Sequence, residues 1–291
     1  MIPTNNSDLW LPDEAYTASS IATGYPVKEG AISMDSSGAE LTTIFDIAKQ
    51  YQKKSALITN SSISYITSAC FTVHSENWED EYFYAGEILD TDLDLLLGGG
   101  RKFFLENEEI DSFPPPAENW KYHYINSLSQ LKEMDKNKQI LGLFAEEELN
   151  SSDPQITSLQ EMTQKALDYL GSSKDFILLI NDNQIDWYSH QKEEKKLLLG
   201  LRNISNALET AISYQEKNPN TLVLLIGAYD CGGFSITESV QYGSRGMLKQ
   251  NTRRHTGNFA PIFALGRYHD KFNGLFRPAE LGQILKKIAA Q

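Results

Sequence analysis

Residues 176–190, Phe-Ile-Leu-Leu-Ile-Asn-Asp-Asn-Gln-Ile-Asp-Trp-Tyr-Ser-His, restrict the fold more than any other stretch. The first five are apolar with no polar alternation. A strand with one solvated face alternates, so this one is expected to be covered on both faces, as in a parallel sheet. Polar residues follow at once, and the ligand-binding groups of parallel sheets gather at the carboxyl ends of strands. Asp186 and His190 stand four apart. On a helix they share a face and can grip one cation. Judged from these residues alone, the plainer reading comes first: Asp186 caps a helix and His190 lies on its solvated face.

The same kind of apolar run recurs at 56–59, 94–97, 139–144, 221–226 and 261–265. Between these runs the pattern is helical. The stretch 13–23 opens with Asp13 as a cap and carries Ala15, Ala18 and Ala22; 40–51 places Leu41, Ile44, Phe45, Ala48 and Tyr51 at helical spacing. Ser158 and Glu161 form a capping box for a helix over 159–170, closed by Gly171. After 176–190 a long helix runs through Ala211, with Leu197, Leu201, Ile204, Leu208 and Ala211 facing inward, and 279–289 is a terminal helix. Strands alternating with helices throughout predict an α/β fold: a doubly wound, mostly parallel sheet with helices on both faces. With no repeat, linker or low-complexity segment, residues 1–291 are expected to form a single domain. Residues 1–12 are polar, punctuated by proline and irregular.

Charge removes some functions. A net charge of −13 disfavours nucleic acid, since phosphates would be repelled without a basic patch, and Arg253-Arg254-His255 is too short to be one. No apolar run approaches the roughly 20 residues that span a bilayer, and the first residues lack the basic and apolar regions of a signal peptide. Cys70 and Cys231 cannot build a disulfide framework.

Several local features admit a plain reading. Gly98-Gly99-Gly100-Arg101-Lys102 is expected to be a tight turn with basic flanks rather than a phosphate cradle. His74 is expected to be packed or capping, and Glu146, Glu147 and Glu148 simply solvated. Residues 106–121, with Pro114, Pro115 and Pro116, read as an exposed loop, 192–196 as an exposed helical face, and 235–258 as irregular.

In order and over nearly its whole length, the chain resembles the alkaline phosphatase family. Five blocks carry the match: 12–18 with Thr23-Gly24; Asp-Leu-Leu-Leu-Gly-Gly-Gly-Arg-Lys-Phe at 94–103; 158–167 leading into 181–190; 221–233; and His255-Thr256-Gly257. The resemblance implies two zinc ions, one magnesium, a serine nucleophile at a helix start and an arginine that holds the phosphoryl oxygens. Carried over by position, the ligands of the first zinc match Asp186, His190 and His255, and Thr67 matches a threonine of the magnesium site. The remaining positions depart. Glu14 stands at the nucleophile position, Asn181 replaces the magnesium-site glutamate, and Ala228 and Tyr229 replace an aspartate and a histidine of the second zinc. Glu76 falls near the arginine position, and no arginine precedes Arg101. The family's first strand, with an aspartate shared by two metals, would precede residue 1.

The resemblance therefore implies one zinc site and no magnesium, and Glu14 as an anion at a helix N-terminus where phosphate would otherwise sit. The expectation is an alkaline-phosphatase-like protein without standard phosphomonoesterase activity. One alternative is a metal-dependent phosphoric-ester hydrolase with single-metal chemistry and Glu14 as general base. Another is a metal-free structural or partner-binding protein, in which the triad is only a polar cluster. The family also implies a homodimer, a phosphate-containing ligand and an extracytoplasmic location.

Overall fold

The computed structural model describes residues 14–28, 30–78, 80–105, 120–149, 157–171, 175–236 and 248–291. Asp13 and the residues before it, most of the 106–121 loop and the segment 237–247 lie outside these.

The elements run α1 (Glu14–Thr23), α2 (Ile44–Gln50), β1 (Lys54–Ser62), α3 (Ile66–Thr72), α4 (Glu81–Asp90), β2 (Leu95–Gly99) and α5 (Arg101–Phe104). Next come β3 (His123–Ile125), α6 (Leu128–Lys132), β4 (Ile140–Leu143), α7 (Leu159–Leu170), β5 (Phe176–Asn181), α8 (Gln184–Gln191) and α9 (Glu194–Lys217). The chain closes with β6 (Leu222–Ile226), β7 (Asp230–Cys231), β8 (Phe234–Ile236), β9 (Leu248–Gln250), β10 (His255–Thr256), β11 (Ile262–Gly266) and α10 (Pro278–Ala289).

Five strands form one sheet in the order β3-β4-β2-β1-β5, every pair parallel. β6 pairs antiparallel with β11, and short ribbons join β7 to β10 and β8 to β9. The α/β class and the mostly parallel sheet agree with the sequence pattern. Alternate strand residues enter two cores. Leu57, Leu96 and Leu141 meet α1, α3, α4 and α10 on one side; Ala56, Ile58, Leu95, Leu97 and Ile140 meet α7 and α9 on the other. Each fully buried Leu or Ile here contributes about 2 kcal/mol, so the strands leading to the site are its stiffest supports.

β5 touches both cores, Ile177 and Leu179 on one face and Phe176, Leu178 and Ile180 on the other. All six of its residues are nevertheless partly exposed, because no described strand pairs with its outer edge. It is a strand covered on both faces and open along one side.

Several local expectations are corrected. Glu40 and Leu41 are not helical: Glu40 bridges to Met34, and α2 starts only after Thr43, whose side chain and that of Asp46 form a capping box. The long helix expected after residue 190 is α9, which starts at Glu194 and runs beyond Ala211 to Lys217. Lys192, in the left-handed region at φ 61°, ends α8 and directs the chain into α9, so 192–196 is not one helical face. Leu201 is exposed rather than inward-facing, while Leu197 is buried. The 235–258 stretch contains β8, β9 and β10.

The triple glycine splits between β2 and the start of α5, with Gly100 at φ 93°. The amides of Gly100, Arg101 and Lys102 donate to the carbonyls of Glu147, Ala145 and Glu146 at 2.6, 3.0 and 3.2 Å. Arg101 pairs with Glu146 and Lys102 with Glu147. Those two glutamates are therefore not merely solvated, and the turn has neither spare amides nor an unpaired cation for phosphate.

Candidate metal centre

α1 fixes one side of the site. Its residues are small and almost all buried, and α10 lies so close that a Cβ on Gly282 would sit 2.5 Å from the Ile21 carbonyl oxygen. The helix begins at Glu14, whose side chain turns inward beneath the carboxyl ends of the strands. Thr67 on α3 hydrogen-bonds to Glu14 Oε1, and the Tyr65 hydroxyl lies 3.4 Å from Oε2. Tyr65 also accepts from Trp187 Nε1 at 3.1 Å.

Burial pushes the Glu14 carboxyl up to about 7; the Thr67 hydrogen bond opposes this and the Asp186 charge adds to it. Thr67 also stands 3.1 Å from Asn183 Oδ1, an acceptor because Asn183 Nδ2 donates to Ser61 at 2.9 Å. With no cation in the cluster, burial thus works against the anion expected at this position.

α8 supplies the opposite side. Its first amides, at Gln184 and Ile185, are satisfied by Asp182 at 3.0 and 3.3 Å, so Asp186 is not the cap. One turn apart, Asp186 and His190 face the β7–β10 ribbon. Asp186 Oδ2 is 3.4 Å from His190 Nε2, and Oδ1 is 3.4 Å from His255 Nε2. The two Nε2 atoms are 3.2 Å apart. His190 Nδ1 lies 2.5 Å from the Arg253 carbonyl oxygen, which fixes the proton on Nδ1 in the neutral ring and leaves the Nε2 lone pair facing the cluster.

Cys231 joins these three: one donor atom from each of Asp186, His190, Cys231 and His255 lies within 4.8 Å of all the others. Sequence reasoning missed Cys231, whose link to His255 is a cross-strand pairing with no local signature. Burial, and then the Asp186 charge, hold its thiol well above its ordinary range in the absence of a cation.

The donors fit a metal ion. Asp186 Oδ1 is buried with no hydrogen-bond partner, a costly state that a cation relieves. Two imidazoles and a carboxylate are also ordinary zinc ligands.

The other expected positions lie differently. Tyr229 is a half-buried ring lying 4.2 Å from the His255 ring, tilted by 35°. Ala228 offers no donor. Asn181 ends β5 with its Nδ2 buried and unpartnered. Glu76 is exposed and pairs with Lys28 at 3.8 Å, outside the cluster. His74 is a packed histidine whose Nε2 lies 2.9 Å from the Leu41 carbonyl oxygen.

The sequence model of the alkaline phosphatase family matches residues 1–254. Alkaline phosphatase 4 of Bacillus subtilis (strain 168) is 29% identical over 246 residues, covering 81% of this chain and 53% of that protein. Alkaline phosphatase 3 of the same organism is 30% identical, covering 78% and 50%. The chain thus spans about half the length of these relatives. Among solved structures, the cold-active alkaline phosphatase from Shewanella sp. superimposes with a TM-score of 0.88 at 24% identity, covering 100% of this chain and 89% of that one. The alkaline phosphatase of the Antarctic bacterium TAB5 gives 0.89 at 22%, covering 99% and 87%, and a variant of that enzyme has Mg bound in its M3 site. These structural likenesses establish the fold.

Proposed function

The chain belongs to the alkaline phosphatase family, and we propose that this member holds one divalent metal ion, zinc, on Asp186, His190 and His255 and does not turn over phosphomonoesters. One observation carries the reading: the described residues contain one group of metal-donor side chains where the family chemistry uses several. The positions around it support the same conclusion. Glu14 offers no nucleophilic hydroxyl, Ala228 and Tyr229 offer no carboxylate or imidazole, and Arg101, the first arginine of the chain, is engaged by Glu146. Removing one well-placed charge-stabilising group costs about 10²–10³ in rate. Losing nucleophile, arginine and second metal together leaves no measurable turnover.

In this reading the chain's own residues hold rather than react. The Arg253 carbonyl orients His190, Tyr229 covers His255, and Thr67 and Tyr65 hold Glu14 in place. A second reading has one specific support. A carboxyl near 7 lies in the range of a general base, and a lone metal supplies Lewis acidity, so Glu14 would serve a single-metal hydrolase.

Metal analysis of the purified chain, with assays on a phosphomonoester and a phosphodiester in added zinc and magnesium, separates these. About one zinc per chain and no turnover supports the proposal. Turnover abolished by His190→Ala replaces it with the hydrolase reading, and no bound metal favours a metal-free binding protein.

A further inference from the structure

Cys231 and His255 are directly opposed in the antiparallel β7–β10 bridge. Opposed residues project to the same side of a ribbon, so thiol and imidazole approach one point together. Asp186 and His190 approach it from α8. The three measured separations, 3.2, 3.4 and 3.4 Å, can be set against a tetrahedral ion. With bonds of about 2.0–2.1 Å to nitrogen and oxygen, the ligand atoms of such an ion stand about 3.3 Å apart, and a sulfur at about 2.3 Å stands about 3.5 Å from the rest. The two imidazole nitrogens already span one edge of such a tetrahedron, and a different oxygen of Asp186 stands at the matching distance from each of them. The thiol lies within 4.8 Å of each corner, within reach of the fourth.

We propose that Cys231 is the fourth ligand of this metal ion, making a closed Asp-His-His-Cys site. The inference rests on the single-metal reading above and sharpens it. Cys231 is in no disulfide; its sulfur lies 4.0 Å from the Asp186 carbonyl oxygen and also meets the Asp186 carboxylate, the group it would join on a metal. Asp186 Oδ1 is buried and makes no hydrogen bond, with His255 Nε2 at 3.4 Å, and a lone pair on His190 Nε2 faces His255. One cation satisfies all of these groups at once. On binding, the thiol loses its proton to solvent, a sulfur–metal bond forms, and thiolate and carboxylate together balance a dication. The soft sulfur selects zinc over magnesium or calcium. Four protein ligands also fill a tetrahedral shell and leave no position for water or substrate, the arrangement of a structural rather than a catalytic zinc. Phosphomonoesterase chemistry is then closed off at the metal itself, as well as by the missing partners around it.

The test uses the full chain, stripped with chelator under reducing conditions and titrated with Co(II). The expected spectrum has intense tetrahedral d–d bands and a sulfur-to-cobalt charge-transfer band at one ion per chain. In Cys231→Ser the charge-transfer band disappears, and zinc affinity by chelator competition falls by more than about tenfold, the least that loss of even an outer-shell partner costs. Cys231→His retains tight binding without the band. Thiol alkylation of the unmutated chain gives a readout independent of variant folding: zinc protects Cys231, with buried Cys70 as internal reference. One bound cobalt with no charge-transfer band and no protection of Cys231 overturns the proposal while leaving the single-metal reading standing. Absence of any bound metal removes both.

Discussion

The Nε2 atoms of His190 and His255 face one another at 3.2 Å, and each has an oxygen of Asp186 3.4 Å away. Two imidazoles turned edge to edge around one carboxylate form a poor hydrogen-bonding group, since at most one proton fits between the rings. They form a good binding site for a cation. Removing either ring should therefore act on metal content. His190→Ala is expected to lower zinc from about one per chain to less than about a tenth at equal exposure, because losing a ligand costs at least the 10–100-fold of an outer-shell loss. Elemental analysis after gel filtration checks this, and full zinc retention would sink the assignment.

Glu14 gives the metal-free protein a pH signature. Its folded-state value of about 7 stands above the ordinary 4.5, so the folded state binds the proton more tightly. The stability this provides is fully present below pH 4.5 and is lost as the pH rises through 7. The total is about 3 kcal/mol. Glu14→Gln keeps a neutral side chain and should flatten that slope, leaving the variant more stable than the parent at pH 8. Urea unfolding at pH 5, 6, 7 and 8 in chelator reads it directly. Parallel curves for the two proteins would rule it out.

Restoring the hydroxyl alone should not restore catalysis. Glu14→Ser places a nucleophile at the start of α1, yet Ala228, Tyr229 and the engaged Arg101 remain. The expected phosphomonoesterase rate stays at background with zinc and magnesium present. A rate above background in that variant, dependent on His190, would show that the surrounding losses matter less than argued above.

Gly99→Ala tests the support beneath the site. A Cβ at Gly99 would run into the backbone carbonyl of Glu147, which cannot step aside as a side chain would. Overpacking typically costs 1–3 kcal/mol, and a backbone collision should reach about 3 kcal/mol. Denaturant midpoints measure it, and a loss under about 0.5 kcal/mol would mean that the 145–147 segment is free to move.

The sequence carried much of the fold because its strongest signals are local. The apolar runs that become β2, β4, β6 and β11 announce themselves, and the Ser158–Glu161 box marks the start of α7. The break at Lys192 left no such mark: neither proline nor glycine stands there, and a lysine takes the left-handed conformation. Leu201 followed the helical period but lies where no described element covers it. At the site, the spacing of Asp186 and His190 was legible as a shared helix face. His255 entered only through the resemblance, and Cys231 not at all, because a cross-strand partner is fixed by pairing across 24 residues rather than by its neighbours. For Glu14, position at a helix start suggests an anion, whereas burial, which the sequence does not show, and the Asp186 charge favour the acid.

The β7–β10 ribbon has only two residue pairs, His255 with Cys231 and Thr256 with Asp230, yet it closes a circuit of chain that begins at Asp186. Whatever clamps residues 186, 190, 231 and 255 together turns that circuit into a tied loop. Its effect is felt mostly in the unfolded chain, which loses the freedom to let the ends part, and the gain grows only slowly with the length enclosed. The cluster can then be viewed as a removable staple. The supply of cation would set how long α9 and the strands after it resist unfolding and cleavage, a role in durability that needs no turnover.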